Sequence, residues 1–169
     1  MEIKNRLVMR LDATCARLRG MPEVNEKTKV AWAIMRNAAG VVSPIADLKK
    51  ALEPTGSMKK VEAGRQELIK TYATKGPDGT PIADPMPGRP GMVTYRIEDI
   101  PAFNAAFEAL IAEHPQVRED EMTLAKREAE LMEETIEFTP YVLHIADVPD
   151  GVLDVEAMEV LHACGILID

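Results

Sequence analysis

Ile3, Leu7, Leu11, Cys15 and Leu18 recur every three or four residues with Arg and Lys between them, so residues 2–19 are expected to form an amphipathic helix closed by Gly20. Met21-Pro22 breaks it. Asn25 then reads as the N-cap of a second helix, whose apolar stripe is Val30, Ala33, Ile34 and Ala38. Gly40 and Ser43-Pro44 mark a kink or a restart, with Ser43 as cap and Pro44 in the first turn. After the interruption Pro54-Thr55-Gly56-Ser57, the spacing of Val61, Leu68, Ile69 and Tyr72 predicts helix from Met58 to Ala73.

Residues 74–91, TKGPDGTPIADPMPGRPG, contain five prolines and four glycines and cannot sustain a helix. Pro77-Asp78-Gly79-Thr80 is a turn signal, because Pro fixes φ at its second position and Gly accepts positive φ. The segment reads as a hairpin-like excursion returning through a strand at Met92–Ile97; an exposed loop without a role fits the same composition. Beyond it, Asp99 caps a helix carrying Phe103, Phe107, Leu110 and Ile111, which ends before His114-Pro115. Asp120–Glu134 follows as a helix with Met122, Ala125, Ala129 and Met132 on one side. Thr135–Phe138 and Tyr141–Ile145 read as short strands, Asp150-Gly151 as a turn, and Asp154 as the cap of a last helix stopped by Gly165.

The fold class expected from this order is α+β and predominantly α-helical. A basic helical region, 1–73, leads through the Pro/Gly-rich loop 74–91 to an acidic mixed region of helices and short strands, 92–169. A chain of 169 residues fits one compact domain. With aromatics at 4% and ten Met, the core should be aliphatic; the Met residues serve either as ordinary core or as an adaptable binding surface.

Charge sharpens the division. Lys plus Arg against Asp plus Glu number 15 against 8 in residues 1–75, 5 against 9 in 76–127, and 0 against 11 in 128–169. Such polarity permits a head-to-tail homo-oligomer, basic part against acidic part, and it is equally what solvated helix faces carry. The acidic tail opposes binding to nucleic acid.

Little in the chain assembles chemistry. Cys15 and Cys164 belong to no metal-binding spacing and read as buried, reduced thiols; no apolar leader precedes them and no run approaches a membrane span. His114, His144 and His162 form no HExxH-like pair. ADVPDGVLDVE lacks the alternating oxygen ligands of a calcium loop, and no phosphate-cradling glycine motif occurs. No catalytic residue, metal or cofactor is assigned. Arg17, Arg19, Lys27, Lys29 and Arg36 make a basic run near Trp32, and in a helix-turn-helix around Gly20-Met21-Pro22 they would face nucleic acid.

The stretches GRQELIKTYATKGPDGTPI, VTYRIEDIPAFNAAFEALI and IEFTPYVLHIADVPDGVLDVEAMEVLHACGIL resemble a family of small uncharacterised tailed-bacteriophage proteins, over residues 65–169. The run of type RxxLIxxYAxKxxDGxP at Arg65–Pro81 matches best. The chain departs from the family in the Pro/Gly-rich insertion Asp84–Gly91 and in Pro44 and Pro54. The resemblance implies a phage origin and assigns no residue a role.

The function expected is that of a phage structural or assembly protein acting in the virion or tail, binding itself and other phage proteins. The expected location is the host cytoplasm and the virion, without signal-peptide secretion. The residues expected to make contacts are Arg17, Arg19, Lys27 and Lys29 on the helices, and Pro77, Asp78, Gly79, Met86 and Arg89 in the loop. The alternatives are an intracellular phage factor that inhibits a host protein and a helix-turn-helix-like nucleic-acid binder.

Overall fold

The computed structural model describes residues 1–86 and 92–169. In chain order they form β1 (Glu2–Lys4), α1 (Asn5–Arg19), α2 (Pro22–Asn25), α3 (Thr28–Ala51), α4 (Gly56–Tyr72), β2 (Ala83–Pro85), β3 (Val93–Tyr95), α5 (Ile100–Glu113), α6 (Val117–Glu133), β4 (Thr135–Glu137), β5 (Leu143–His144), a 3-10 turn (Ile145–Asp147), α7 (Val155–Ala163) and β6 (Leu167–Ile168). The protein is predominantly helical, and among the described residues the strands pair only two by two. No helix of the described residues is long and apolar enough to cross a membrane.

The chain divides into two compact units along other lines than its charge. One combines residues 1–53 with 126–169; the other is 54–125, and the boundary falls inside α6.

The first unit joins the two ends of the chain in one core. Val8, Leu11, Cys15 and Leu18 of α1 are buried together with Val30, Ala33, Ile34 and Val41 of α3 and Ala157, Val160 and Leu161 of α7, followed by Cys164 and Ile166. β1 pairs antiparallel with β4, setting Ile3 opposite Ile136, and the Met1 amine donates to the Phe138 carbonyl at 2.8 Å. β5 pairs parallel with β6, Leu143 opposite Leu167.

Three local expectations are corrected here. Residues 2–4 are strand, because the ladder to Thr135–Glu137 satisfies their backbone and buries Ile3. Asn25 caps nothing: it ends α2, and its side-chain amide donates to the Arg19 carbonyl at 3.1 Å, while α3 starts after Lys27 with no side-chain cap. Pro44 does not restart a helix, since α3 runs through it. Losing the hydrogen bond to the Gly40 carbonyl, together with the crowding of the ring against that carbonyl, costs about 3 kcal/mol. Burying Val41, Ile45 and Leu48 on the same turns offsets this at roughly 1.5–3 kcal/mol each.

In the second unit Thr55 caps α4, its Oγ1 accepting from the Met58 N–H at 3.3 Å; the Thr55 and Ser57 hydroxyls both donate to Asp120 Oδ2. Residues 74–86 fold into a hairpin with 92–97. β2 and β3 are antiparallel, Asp84 opposite Thr94, with single bridges at Ala73/Ile97 and Lys75/Pro81. The expected strand Met92–Ile97 contracts to Val93–Tyr95 and the bridge at Ile97. Arg96 clamps Asp84 through Nε and Nη2 at 2.6 and 2.9 Å. Gly64 lets α5 approach α4, for a Cβ there would lie 2.8 Å from both Leu110 methyls.

Candidate protein-interaction surface

The end of α1, the single turn α2 and the first turns of α3 enclose an open groove of about 620 Å³ lined by Arg19, Asn25, Thr28, Ala31, Trp32 and Met35. Gly20 and Pro22 create it by ending α1 and reversing the chain. Thr28, Ala31, Trp32 and Met35 stand at i, i+3, i+4 and i+7, one face of α3. That face turns outward: Trp32 is 47% exposed and Met35 48%. The Arg36 guanidinium lies 5.9 Å from the Trp32 ring centroid, a cation–π contact that holds the indole while leaving it in solvent.

The expected contact residues part company here. Arg17 is engaged within the unit, its two terminal nitrogens donating to Asp154 Oδ2 and Oδ1 at 2.5 and 3.0 Å. Lys29 donates to Asp147 at 2.5 Å. Lys4 and Arg6 both bind Glu133. Much of the basic first part and the acidic last part of the chain thus neutralise one another inside one unit. Lys27 is exposed, and its carbonyl accepts from the Ala31 N–H. Only Arg19 of the four lines the groove.

Pro77, Asp78, Gly79 and Met86 belong to the other unit. Gly79 takes φ +79°, and Asp78 Oδ1 accepts from the Thr80 N–H and hydroxyl at 3.1 and 2.8 Å, which closes the turn and holds the Asp78 carboxyl below its ordinary pKa. The Met86 N–H donates to the Met92 carbonyl at 2.9 Å. Arg89 lies outside the described residues.

The feature not anticipated is a second stripe on α3. Val30, Ala33, Ile34, Asn37, Ala38, Val41, Ile45 and Leu48 face the core, but Trp32, Met35, Ala39, Val42 and Ala46 all face outward, with Val42 63% exposed. Their 3-4-3-4 spacing was present in the sequence, overlaid on the stronger inward pattern.

Both thiols are buried, and burial pushes Cys15 up to about 12 and Cys164 to about 11, the reverse of nucleophile activation. Among the described residues no group of three or more His, Cys, Asp or Glu is placed to hold a metal ion. No family model, no curated protein and no solved structure matches the chain.

Proposed function

We propose that the protein acts by holding other protein chains, as a structural or assembly protein of a tailed bacteriophage. The observation that carries the binding role is the pair Trp32 and Met35, half exposed side by side over an open groove that Arg19 also lines, with Arg36 against the indole. Trp, Met and Arg are the side chains that interfaces favour, and leaving an indole in water forgoes the burial a folded chain would otherwise gain. The phage assignment rests on the resemblance at Arg65–Pro81 and in the C-terminal stretches. In this reading the protein works in the host cytoplasm and in the virion, by contact and without catalysis.

The pairing of Arg17 with Asp154 and of Lys29 with Asp147 weighs against the nucleic-acid alternative, because both cations would have to leave carboxylates to meet phosphates. Mass spectrometry of purified virions tests the proposal. A structural protein is recovered at fixed stoichiometry, whereas a host-directed inhibitor is absent from particles, and its absence sinks the virion reading.

A further inference from the structure

We infer that the outward stripe of α3 is a helix-docking seam, and that its occupant is the acidic helix α6 of a second copy of this chain. The inference rests on the protein-binding reading and names its surface and partner.

A stripe at 3-4-3-4 spacing is what a helix presents when a second helix packs along it, and Trp32 to Ala46 span about 21 Å at 1.5 Å per residue. α3 already buries its opposite face in its own core, so the outward seam is a second packing face on the same helix. The large side chains Trp32, Met35 and Val42 alternate with Ala39 and Ala46, leaving room for a partner's larger side chains.

Charge selects the partner. With Lys29 held by Asp147, α3 is left with Arg36, Lys49 and Lys50 against Asp47 alone, and Arg19 stands at the groove. Pairing two copies of α3 would set this excess of cations against itself. α6 is the complement: six carboxylates, Glu119, Asp120, Glu121, Glu128, Glu130 and Glu133, against Arg118, Lys126 and Arg127. Arg118 is already held by Glu108, Lys126 faces Glu130 at 3.8 Å, and Glu133 is taken by Lys4 and Arg6. The side chains of Glu119, Glu121 and Glu128 make no hydrogen bond or ion pair among the described residues, and neither do those of Lys49 and Lys50. α6 also has a seam at the same 3-4-3 spacing, Met122, Ala125, Ala129 and Met132, and Met122 is 75% exposed. Because α3 meets α6 and not its own copy, the contact is head to tail.

Two exposed substitutions separate the partners. Met35→Lys disables the α3 seam, Met122→Lys disables the α6 seam, and circular dichroism checks that each variant folds. The native chain should self-associate in sedimentation, with an affinity that falls about tenfold or more on raising salt from 0.05 to 0.5 M. Each variant alone should be monomeric, yet a one-to-one mixture should form a dimer and stop there, since each supplies the seam the other lacks. Trp32, the single tryptophan, should shift its emission to the blue in that mixture. If Met122→Lys associates like the native chain while Met35→Lys does not, α3 pairs with itself and the inference fails. A native chain that stays monomeric through the millimolar range overturns it as well. In that case virion composition still decides the broader protein-binding proposal.

Discussion

The side-chain amide of Asn37 pairs with the main chain of Tyr141 as a strand residue would: Nδ2 donates to the Tyr141 carbonyl and Oδ1 accepts from the Tyr141 N–H, both at 2.8 Å. The same Nδ2 also donates to the Ala33 carbonyl at 2.8 Å, and Asn37 is 1% exposed. One buried polar side chain of α3 therefore anchors the segment between β4 and β5, residues 104 positions away in sequence. Asn37→Ala should destabilise the protein by about 1–3 kcal/mol, because it removes two part-buried hydrogen bonds to the Tyr141 main chain and leaves a gap at a buried position. A urea midpoint that falls at constant slope would bear this out; an unchanged midpoint would mean that water replaces the amide.

The close of α7 rests on Gly165, at φ +64°. Its N–H donates to the His162 carbonyl and the Ile166 N–H to the Leu161 carbonyl, both at 2.9 Å, and this Schellman arrangement turns Ile166 into the core and aims Leu167 at β5. Gly165→Ala is expected to cost about 1–2 kcal/mol through left-handed backbone strain. The nearest atom to its new Cβ, Met1 Sδ at 2.9 Å, is the movable end of a side chain and adds little. Gly56→Ala at the start of α4 meets open space and is the control, with a melting temperature unchanged or slightly raised.

These two sites mark how far the sequence could be read. Elements governed by their own side chains were legible: Asp99 and Asp154 do cap α5 and α7, accepting from Ala102 and Ala157, and Gly165 does end the last helix. What depended on distant partners was not. Ile3 has the same spacing to Leu7 as any first-turn residue, and only the meeting with Ile136 makes it a strand. Pro44 reads as a break until Val41 and Ile45 find one core on either side of it. At the candidate surface the sequence exposes Arg19 and hides the outward stripe, because a helix with two apolar faces shows one dominant period. Arg17 and Lys29 were indistinguishable from Arg19 until the acidic tail supplied Asp154 and Asp147.

The two thiols make stability fall in alkali. Burial pushes Cys15 up to about 12, with Cys164 and Asp12 adding to the effect, and pushes Cys164 up to about 11. An unfolded chain ionises these groups from its ordinary value of 9.0, where the folded chain still holds both protons. Above pH 9 the unfolded state thus binds fewer protons, and unfolding becomes easier as pH rises toward the folded values. The urea midpoint should drop more steeply between pH 9 and about 10.5 in the native chain than in a Cys15→Ala/Cys164→Ala variant. Equal slopes would remove the thiols from the account. In native buffer both should react with a thiol reagent only as fast as the core opens.

Asp154 does two jobs at one carboxylate, and acid should separate them. It receives the Arg17 guanidinium in a two-point contact and caps α7 by accepting from the Ala157 N–H at 2.8 Å; the Arg17 hydrogen bond and then the cap hold it below its ordinary value of 3.8. A carboxylate depressed by folding contributes its full stabilisation above its unfolded value and loses it as pH falls below that toward the folded one. Arg17→Ala removes only the exposed ion pair and should shift the urea midpoint least. Asp154→Asn keeps a capping oxygen and should resemble it, whereas Asp154→Ala loses cap and pair together and should shift the midpoint most. As pH falls below 3.8 the native chain should converge toward the Asp154→Asn variant, because the protonated carboxyl keeps a capping oxygen but no longer holds Arg17 as an ion pair. If the Asn and Ala variants were equally unstable at neutral pH, the cap would contribute nothing and the pair alone would tie α1 to the start of α7.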